Sequence, residues 1–265
     1  MGNNVSNLFR VFKEIMGKYR IGIDLGGTKT EAVLLGHDEI EIYRKRVATP
    51  REYLKILNSI HDLILDTAEH IPGNGEYSVG VGIPGAINKK TGLVHNANTT
   101  CLIGRPFKDD VEHCLGRMIS MENDANCFTL IEAIRGAGRK YRVVFGIIMG
   151  TGCGGGISVD GKILNGRHGI AGEWGHFAMD PQGIKCYCGN KGCVETKISG
   201  SGVEAAFYRK FTRHLKMDEI VKGYRKNDPQ CRIIFEQFLD DFGKALGGLI
   251  SILDRPHIEF FVSCK

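Results

Sequence analysis

No stretch of this 265-residue chain comes near the roughly 18 consecutive apolar residues that a membrane span needs. No secretory signal precedes its cysteines, and no long block of one charge is present. The net charge is only +5, with basic residues scattered or in short clusters such as Arg44-Lys45-Arg46. A solvated face accounts for such clusters better than nucleic-acid binding does. There are nine cysteines, an odd number, and three of them fall between residues 186 and 193. That pattern argues for a reduced compartment, the cytoplasm, and a metal site rather than a disulfide framework. What the chain has in excess is glycine, with 36 residues. Its length supports a large core split between two domains.

The glycines concentrate in two loops, Asp24-Leu25-Gly26-Gly27-Thr28-Lys29-Thr30 and Gly150-Thr151-Gly152-Cys153-Gly154-Gly155-Gly156. Each follows a short apolar run and leads into another. A strand, a polar glycine turn and a strand are thus written twice, which is how a backbone makes two NH-lined phosphate cradles. Gly150 to Gly155 also satisfies G-x-G-x-x-G, but the dinucleotide version opens a helix, and here a strand follows. Gly22 and Gly27 have P-loop spacing, but Thr28 stands where lysine should be. Asp24, at a strand end, is placed to hold Mg²⁺ or its waters. Lys29 and the threonines could reach phosphate oxygens, and Lys29 reads equally well as a surface lysine.

Strands are expected over Tyr19 to Asp24, Ala32 to Leu35, Glu41 to Val47, Ser78 to Ile83 and Arg117 to Glu122. Thr49-Pro50 reads as an N-cap with proline at N1, ahead of a helix whose apolar face includes Ile56, Ile60 and Ile64. Arg142 to Met149 and Gly156 to Val159 form a hairpin. From Ser199 the pattern is helical. Residues 1–18 stand apart as an N-terminal extension, with a helical apolar face and a short myristoylation-like start, Met1-Gly2-Asn3-Asn4-Val5-Ser6. The expected division is an extension over 1–18, an α/β domain over 19–122 and a second over 123–265.

Asn123-Asp124 follows a strand and precedes a helix. An aspartate there could take a hydroxyl proton during attack on phosphorus, or it could cap the helix. Glu173, His176 and Glu195 are of the types that grip vicinal hydroxyls, and each alone reads as well as surface charge. His176, Cys186, Cys188 and Cys193 make H-x9-C-x-C-x4-C, a Cys₃His set suited to tetrahedral structural Zn²⁺. One ring nitrogen of His176 would bind metal and leave the other for a substrate hydroxyl.

Together these segments resemble the ROK family of bacterial sugar kinases. The carrying stretches are Ile21 to Glu31, Gly82-Ile83-Pro84-Gly85, Glu122 to Asn126, Gly150 to Gly156, Gly172 to His176 and Cys186 to Glu195, in a match running from about Tyr19 to Asp254. Thr49-Pro50-Arg51, Asn96-Ala97-Asn98 and Gly152-Cys153-Gly154 are most similar to the fructokinase (manno-fructokinase) branch, with N-acetylglucosamine kinases close behind. The resemblance implies an α/β actin-like, hexokinase-type (ribonuclease H-like) fold, two domains closing over a hexose and MgATP. It implies phosphorylation of the primary 6-hydroxyl, of fructose first, with N-acetylglucosamine, glucose or mannose as alternatives. It makes Asp124 the general base and assigns Gly85, Asn98, Asn123, Asp124, Glu173, His176 and Glu195 to the sugar. It gives Asp24, Gly26, Gly27, Thr28, Lys29, Gly150, Thr151, Gly152 and Gly154 to ATP, and His176 with the three cysteines to structural zinc. A homodimer is implied, with neither nucleic acid nor membrane as partner. The family pattern continues beyond Leu253-Asp254 with a strand and an adenosine-seating glycine turn. Ile258 to Val262 could make the strand, while the turn is missing, so the domain is expected to be C-terminally shortened and a sugar-binding remnant is the competing reading. A transcriptional regulator is disfavoured, because 18 residues cannot hold a DNA-binding domain.

Overall fold

The structure, a computed structural model, describes residues 19–254 and the backbone of residues 257–262. The expected extension over 1–18, with its myristoylation-like start, lies outside the described residues. The chain divides into two units, Met1–Asp124 and Ala125–Lys265.

In the first unit β1 (Tyr19–Leu25), β2 (Lys29–Leu35) and β3 (Glu41–Ala48) form an antiparallel meander. Helix α1 (Tyr53–Ala68) follows, then β4 (Tyr77–Ile83), the short pair β5 (Ala86–Ile87) and β6 (Val94–His95), α2 (Phe107–Leu115) and β7 (Ser120–Asn123). The sheet order is β3-β2-β1-β4-β7, with β4 parallel to β1 and β7 parallel to β4. Burial alternates along β1: Ile21, Ile23 and Leu25 point into the core, and Gly22 and Asp24 do not. The same core takes the face of α1 carrying Ile56, Ile60 and Ile64, all fully buried. Each such side chain contributes about 1.5–3 kcal/mol relative to exposure.

Helix α3 (Asp124–Ile134) leads into the second unit. There β8 (Val143–Met149), β9 (Cys153–Val159) and β10 (Lys162–Ile163) repeat the antiparallel meander. Four helices follow: α4 (Glu195–Ile198), α5 (Gly200–Phe211), α6 (Met217–Arg225) and α7 (Pro229–Leu253). Finally β11 (His257–Val262) lies parallel to β8, giving the order β10-β9-β8-β11. Meander plus parallel strand is therefore built in both units. Among the described residues no helix is long and apolar enough to cross a membrane.

Two local expectations differ from the structure. Helix α1 starts at Tyr53 with Glu52 as N-cap, not at Thr49-Pro50. Thr49 instead continues the β2–β3 ladder, its amide donating to Thr28 O at 3.0 Å. The second glycine loop is also shorter than its sequence suggests. Only Gly150 to Gly152 turn, and Cys153, Gly154, Gly155 and Gly156 lie within β9, opposite Met149, Ile148, Ile147 and Gly146. The strand glycines serve close packing. A Cβ on Gly155 would lie 2.7 Å from Trp174 Cδ1 and 2.8 Å from Phe145 Cζ, and one on Gly156 would lie 2.5 Å from Thr129 Oγ1.

This distinction is testable. Gly155→Ala should cost about 1–3 kcal/mol through overpacking. Gly22→Ala, where an added Cβ meets nothing within 4 Å, should stay within about 0.5 kcal/mol. Urea unfolding midpoints of the two variants make the comparison.

Candidate functional site

The first turn, Gly26 to Lys29, is closed by Gly26 N donating to Lys29 O at 3.0 Å. A Cβ on Gly26 would stand 2.7 Å from that carbonyl, so the turn closes only around glycine. Thr49 holds it from behind. Its hydroxyl donates to Gly26 O at 2.7 Å and lies 2.8 Å from Thr30 Oγ1. In a trans peptide the N–H points opposite the C=O. Fixing Gly26 O therefore turns the Gly27 amide away from Thr49, and that amide has no hydrogen-bond partner among the described residues. Gly27, Thr28 and Lys29 are exposed.

Asp24 and Asp124 stand at the carboxyl ends of parallel strands in one sheet. Asp24 is in register with Gly82, Gly82 with Glu122, and Asp124 follows Asn123 directly off β7. Ligands of open α/β sheets bind outside this strand end. Asn123 is buried, and its Nδ2 donates to Gly85 O at 3.0 Å. Gly85 has φ +123°, and a Cβ there would lie 2.8 Å from Ala97 Cβ. Asn123, Gly85 and the 95–97 segment thus pack together, and Asn98 next to them is exposed.

The second turn is tethered in the same manner. Gly200 N, at the start of α5, donates to Gly150 O at 2.8 Å, and Ser201 Oγ donates to Thr151 O at 2.7 Å. The peptide geometry then directs the Thr151 and Gly152 amides the other way, and neither has a partner among the described residues. Gly200 must be glycine for this approach, since its Cβ would lie 2.8 Å from Gly150 O. Gly154 is in β9, and its carbonyl accepts from Trp174 Nε1 at 3.1 Å.

Glu195, buried at the start of α4, accepts from the Cys153 amide at 2.9 Å. It thereby ties the exit of the second turn to the loop of Cys186, Cys188 and Cys193. Burial, reinforced by the Glu195 carboxylate, pushes the Cys153 thiol above its ordinary range. In the loop, Cys188 Sγ and Cys193 Sγ are 3.6 Å apart and Cys186 Sγ is 3.7 Å from His176 Nδ1. All four ligand atoms lie within 4.8 Å of one another. Tetrahedral zinc, with Zn–S ~2.3 Å and Zn–N ~2.0 Å, has S–S and S–N edges of about 3.8 and 3.6 Å. The donor set and its spacing fit that ion. Gly189 and Gly192 have φ +98° and +60°, and a Cβ on Gly192 would fall 1.8 Å from Asp180 O. Burial pushes Cys193 up to about 12, with the neighbouring thiols adding to it. At Cys188 burial opposes ionisation, but the Asn190 amide and the neighbouring thiols outweigh it and hold the thiol below its usual value. A divalent cation would ionise the remaining thiols.

Glu173 precedes the short turn Trp174–His176, and its carbonyl accepts from His176 N at 3.1 Å. The second ring nitrogen of His176, expected to face a substrate hydroxyl, lies 3.1 Å from Tyr187 Oη. Tyr187 sits between two cysteines of the cluster, and its ring meets the imidazole edge-on, centroids 5.2 Å apart at 89°.

The sequence profile of the ROK family matches residues 20–260. The chain belongs to the ROK family. An N-acetyl-D-glucosamine kinase of Yersinia enterocolitica is 39% identical over 248 residues, which are 89% of this chain and 81% of that protein. Among solved structures, a ROK family glucokinase of Streptomyces griseus in complex with glucose and AMPPNP aligns with a TM-score of 0.79 and 29% identity, covering 92% of this chain and 83% of that one. A ROK hexokinase of Thermus thermophilus aligns with a TM-score of 0.79 and 26% identity, covering 92% and 82%. The mixed α/β fold is that of these ROK hexokinase-type structures.

In this ROK chain, sequence reasoning missed three contributors. Thr49 was expected as a helix cap, and Tyr187 and Ser201 carried no expectation. The small-residue run Ser199-Gly200-Ser201-Gly202 was the available signal for a helix start approaching another backbone. The structure gives Thr49 a measurable role. Thr49→Val keeps the shape but leaves Gly26 O without its donor, so it should cost about 1–3 kcal/mol and raise hydrogen-exchange rates in the first turn.

Proposed function

We propose that this chain transfers the γ-phosphoryl group of ATP to the primary 6-hydroxyl of N-acetyl-D-glucosamine. It is a ROK-family sugar kinase, an ATP-dependent phosphotransferase. The observation that carries the mechanism is Asp124 at the carboxyl end of β7, in the same sheet as Asp24 and the amide-bearing first turn. The choice of sugar rests on the relatives named N-acetyl-D-glucosamine kinase at 36–39% identity. The fructokinase expectation has less behind it. It rested on three triplets, in each of which one residue serves the fold's own backbone: Thr49 holds Gly26, Ala97 packs under Gly85, and the Cys153 amide meets Glu195. Those roles say nothing about which sugar binds.

The Asp124 carboxylate accepts the proton of the sugar hydroxyl as that oxygen forms its bond to the γ-phosphorus. The bond from phosphorus to the β-γ bridging oxygen breaks, and ADP leaves with its electron pair. In the first unit the Gly27 amide is a donor suited to negative charge on phosphate oxygens, and Lys29 adds a cation; in the second unit the Thr151 and Gly152 amides are donors of the same kind. Magnesium, when bound, supplies further charge compensation on those oxygens, and Asp24 is the exposed carboxylate suited to it. Glu173 and Glu195 are carboxylates suited to accept hydrogen bonds from ring hydroxyls. His176, Cys186, Cys188 and Cys193 would hold structural zinc, stiffening the loop from which Glu195 follows.

Asp124→Asn removes the base but keeps a residue that starts a helix as well as aspartate does. Turnover should fall by about 10²–10⁴-fold, with sugar affinity by calorimetry within about threefold. Unchanged turnover would remove Asp124 from the mechanism.

A further inference from the structure

In the second unit, helices α4, α5 and α7 and the loop through Asp180 line a cavity of about 180 Å³. None of its lining residues was assigned above to sugar, ATP or zinc. Its apolar side comes from two helix faces. Val203 and Ala206 of α5, and Ile234 and Phe238 of α7, recur three or four residues apart, so each pair shares one face of its helix. Val203 and Ile234 are buried. An apolar cavity of ~150 Å³ holds a benzene-sized body, so there is room here for a short branched or ring-bearing group. The polar lining is divided by sign. Asp241 of α7 is only 8% exposed, yet its carboxylate has no hydrogen bond among the described residues, and its one ion pair is with Lys197 at 3.6 Å. Lys197 stands closer to Asp180, at 3.1 Å, so one ammonium serves two carboxylates and a net negative charge is left. Buried polar groups are almost always hydrogen-bonded, so Asp241 lacks a donor that it should have. Arg209 of α5 is the reverse case. Among the described residues its guanidinium has neither ion pair nor hydrogen bond, and burial alone holds its pKa below the ordinary value. Gln237 of α7 also lines the cavity with its amide unpaired, and both residues are exposed.

We infer that this cavity binds a free α-amino acid with an apolar side chain. The ligand's ammonium donates to Asp241, its carboxylate accepts from Arg209 and Gln237, and its side chain lies against Val203, Ile234 and Phe238. An α-amino acid has no net charge but carries both signs apart, and the charged lining of the cavity does the same. A simple acid would leave Asp241 without a donor, and a simple amine would leave Arg209 without an acceptor. A sugar has neither charge, and its hydroxyls would be spent against apolar walls. The inference does not rest on the sugar-kinase reading. The cavity borders α4, the helix that Glu195 begins.

The test is calorimetric titration of the full chain with L-leucine and L-phenylalanine, and with two analogues of leucine. Isocaproate lacks the amino group and isoamylamine lacks the carboxylate. The expected result is saturable binding of L-leucine, with each analogue at least about tenfold weaker. Arg209→Met removes the guanidinium from an exposed position, and Ala206→Leu fills the cavity from the face of α5. Each should weaken L-leucine at least about tenfold, with the circular dichroism spectrum and a cooperative melting transition retained. A wild type that binds neither amino acid overturns the inference. So does isocaproate binding as tightly as L-leucine, which leaves Asp241 no part, or an L-leucine affinity unchanged in folded Arg209→Met.

Discussion

The carbonyls of two glycine turns are held from behind, and the candidate chemistry depends on that. Thr49 does this for Gly26, and the start of α5 does it for Gly150 and Thr151. Because a trans peptide is rigid, anchoring each oxygen aims the following amide the opposite way. Within each unit the amides of the turn are thus oriented in advance, and little reorganisation would remain if an anion bound there. Glycine is needed at Gly26 and Gly200 for the close approach rather than for a left-handed backbone, since neither has positive φ.

In the second unit the same tethering is extended toward the metal-ligating loop. Glu195 follows Cys193 by two residues and takes the Cys153 amide. Lys197, one step further, pairs with Asp180 at 3.1 Å and with the buried Asp241 of α7 at 3.6 Å. Asp180 belongs to the loop and is itself held below the usual carboxylate range by the Lys197 hydrogen bond. The second turn, the cysteine loop and the longest helix are thus joined through one four-residue helix. An ion in the cluster would stiffen this whole segment and not only its own ligands.

Much of the fold was legible because it follows from local pattern. The alternation in β1, the face of α1 and both hairpins need only a period of two or 3.6 and a turn signal. The repeated meander was legible for the same reason. What failed was local signal overridden at long range. Thr49 before proline reads as a cap, but its hydroxyl bonds Gly26 across 23 residues. Gly155 and Gly156 look like loop glycines, because a missing Cβ reads the same whether a turn or a neighbouring Trp174 or Thr129 requires it. At the site, residue types and spacing carried the cysteine cluster fully, since H-x9-C-x-C-x4-C is itself a geometric statement. Tyr187 was invisible, because its place beside His176 exists only once that loop is folded. The choice among sugars had only three short triplets behind it, and Thr49, Ala97 and Cys153 in them make contacts within the fold that carry no information about a ligand.

Substrate choice is the central claim that residues alone left open, and a coupled ADP-release assay over N-acetyl-D-glucosamine, fructose, glucose and mannose tests it most directly. The account predicts a kcat/KM for N-acetyl-D-glucosamine at least about tenfold above each of the others, the size of discrimination that one well-placed polar contact supplies. A higher kcat/KM for fructose, or no ADP release with any of the four, would contradict it.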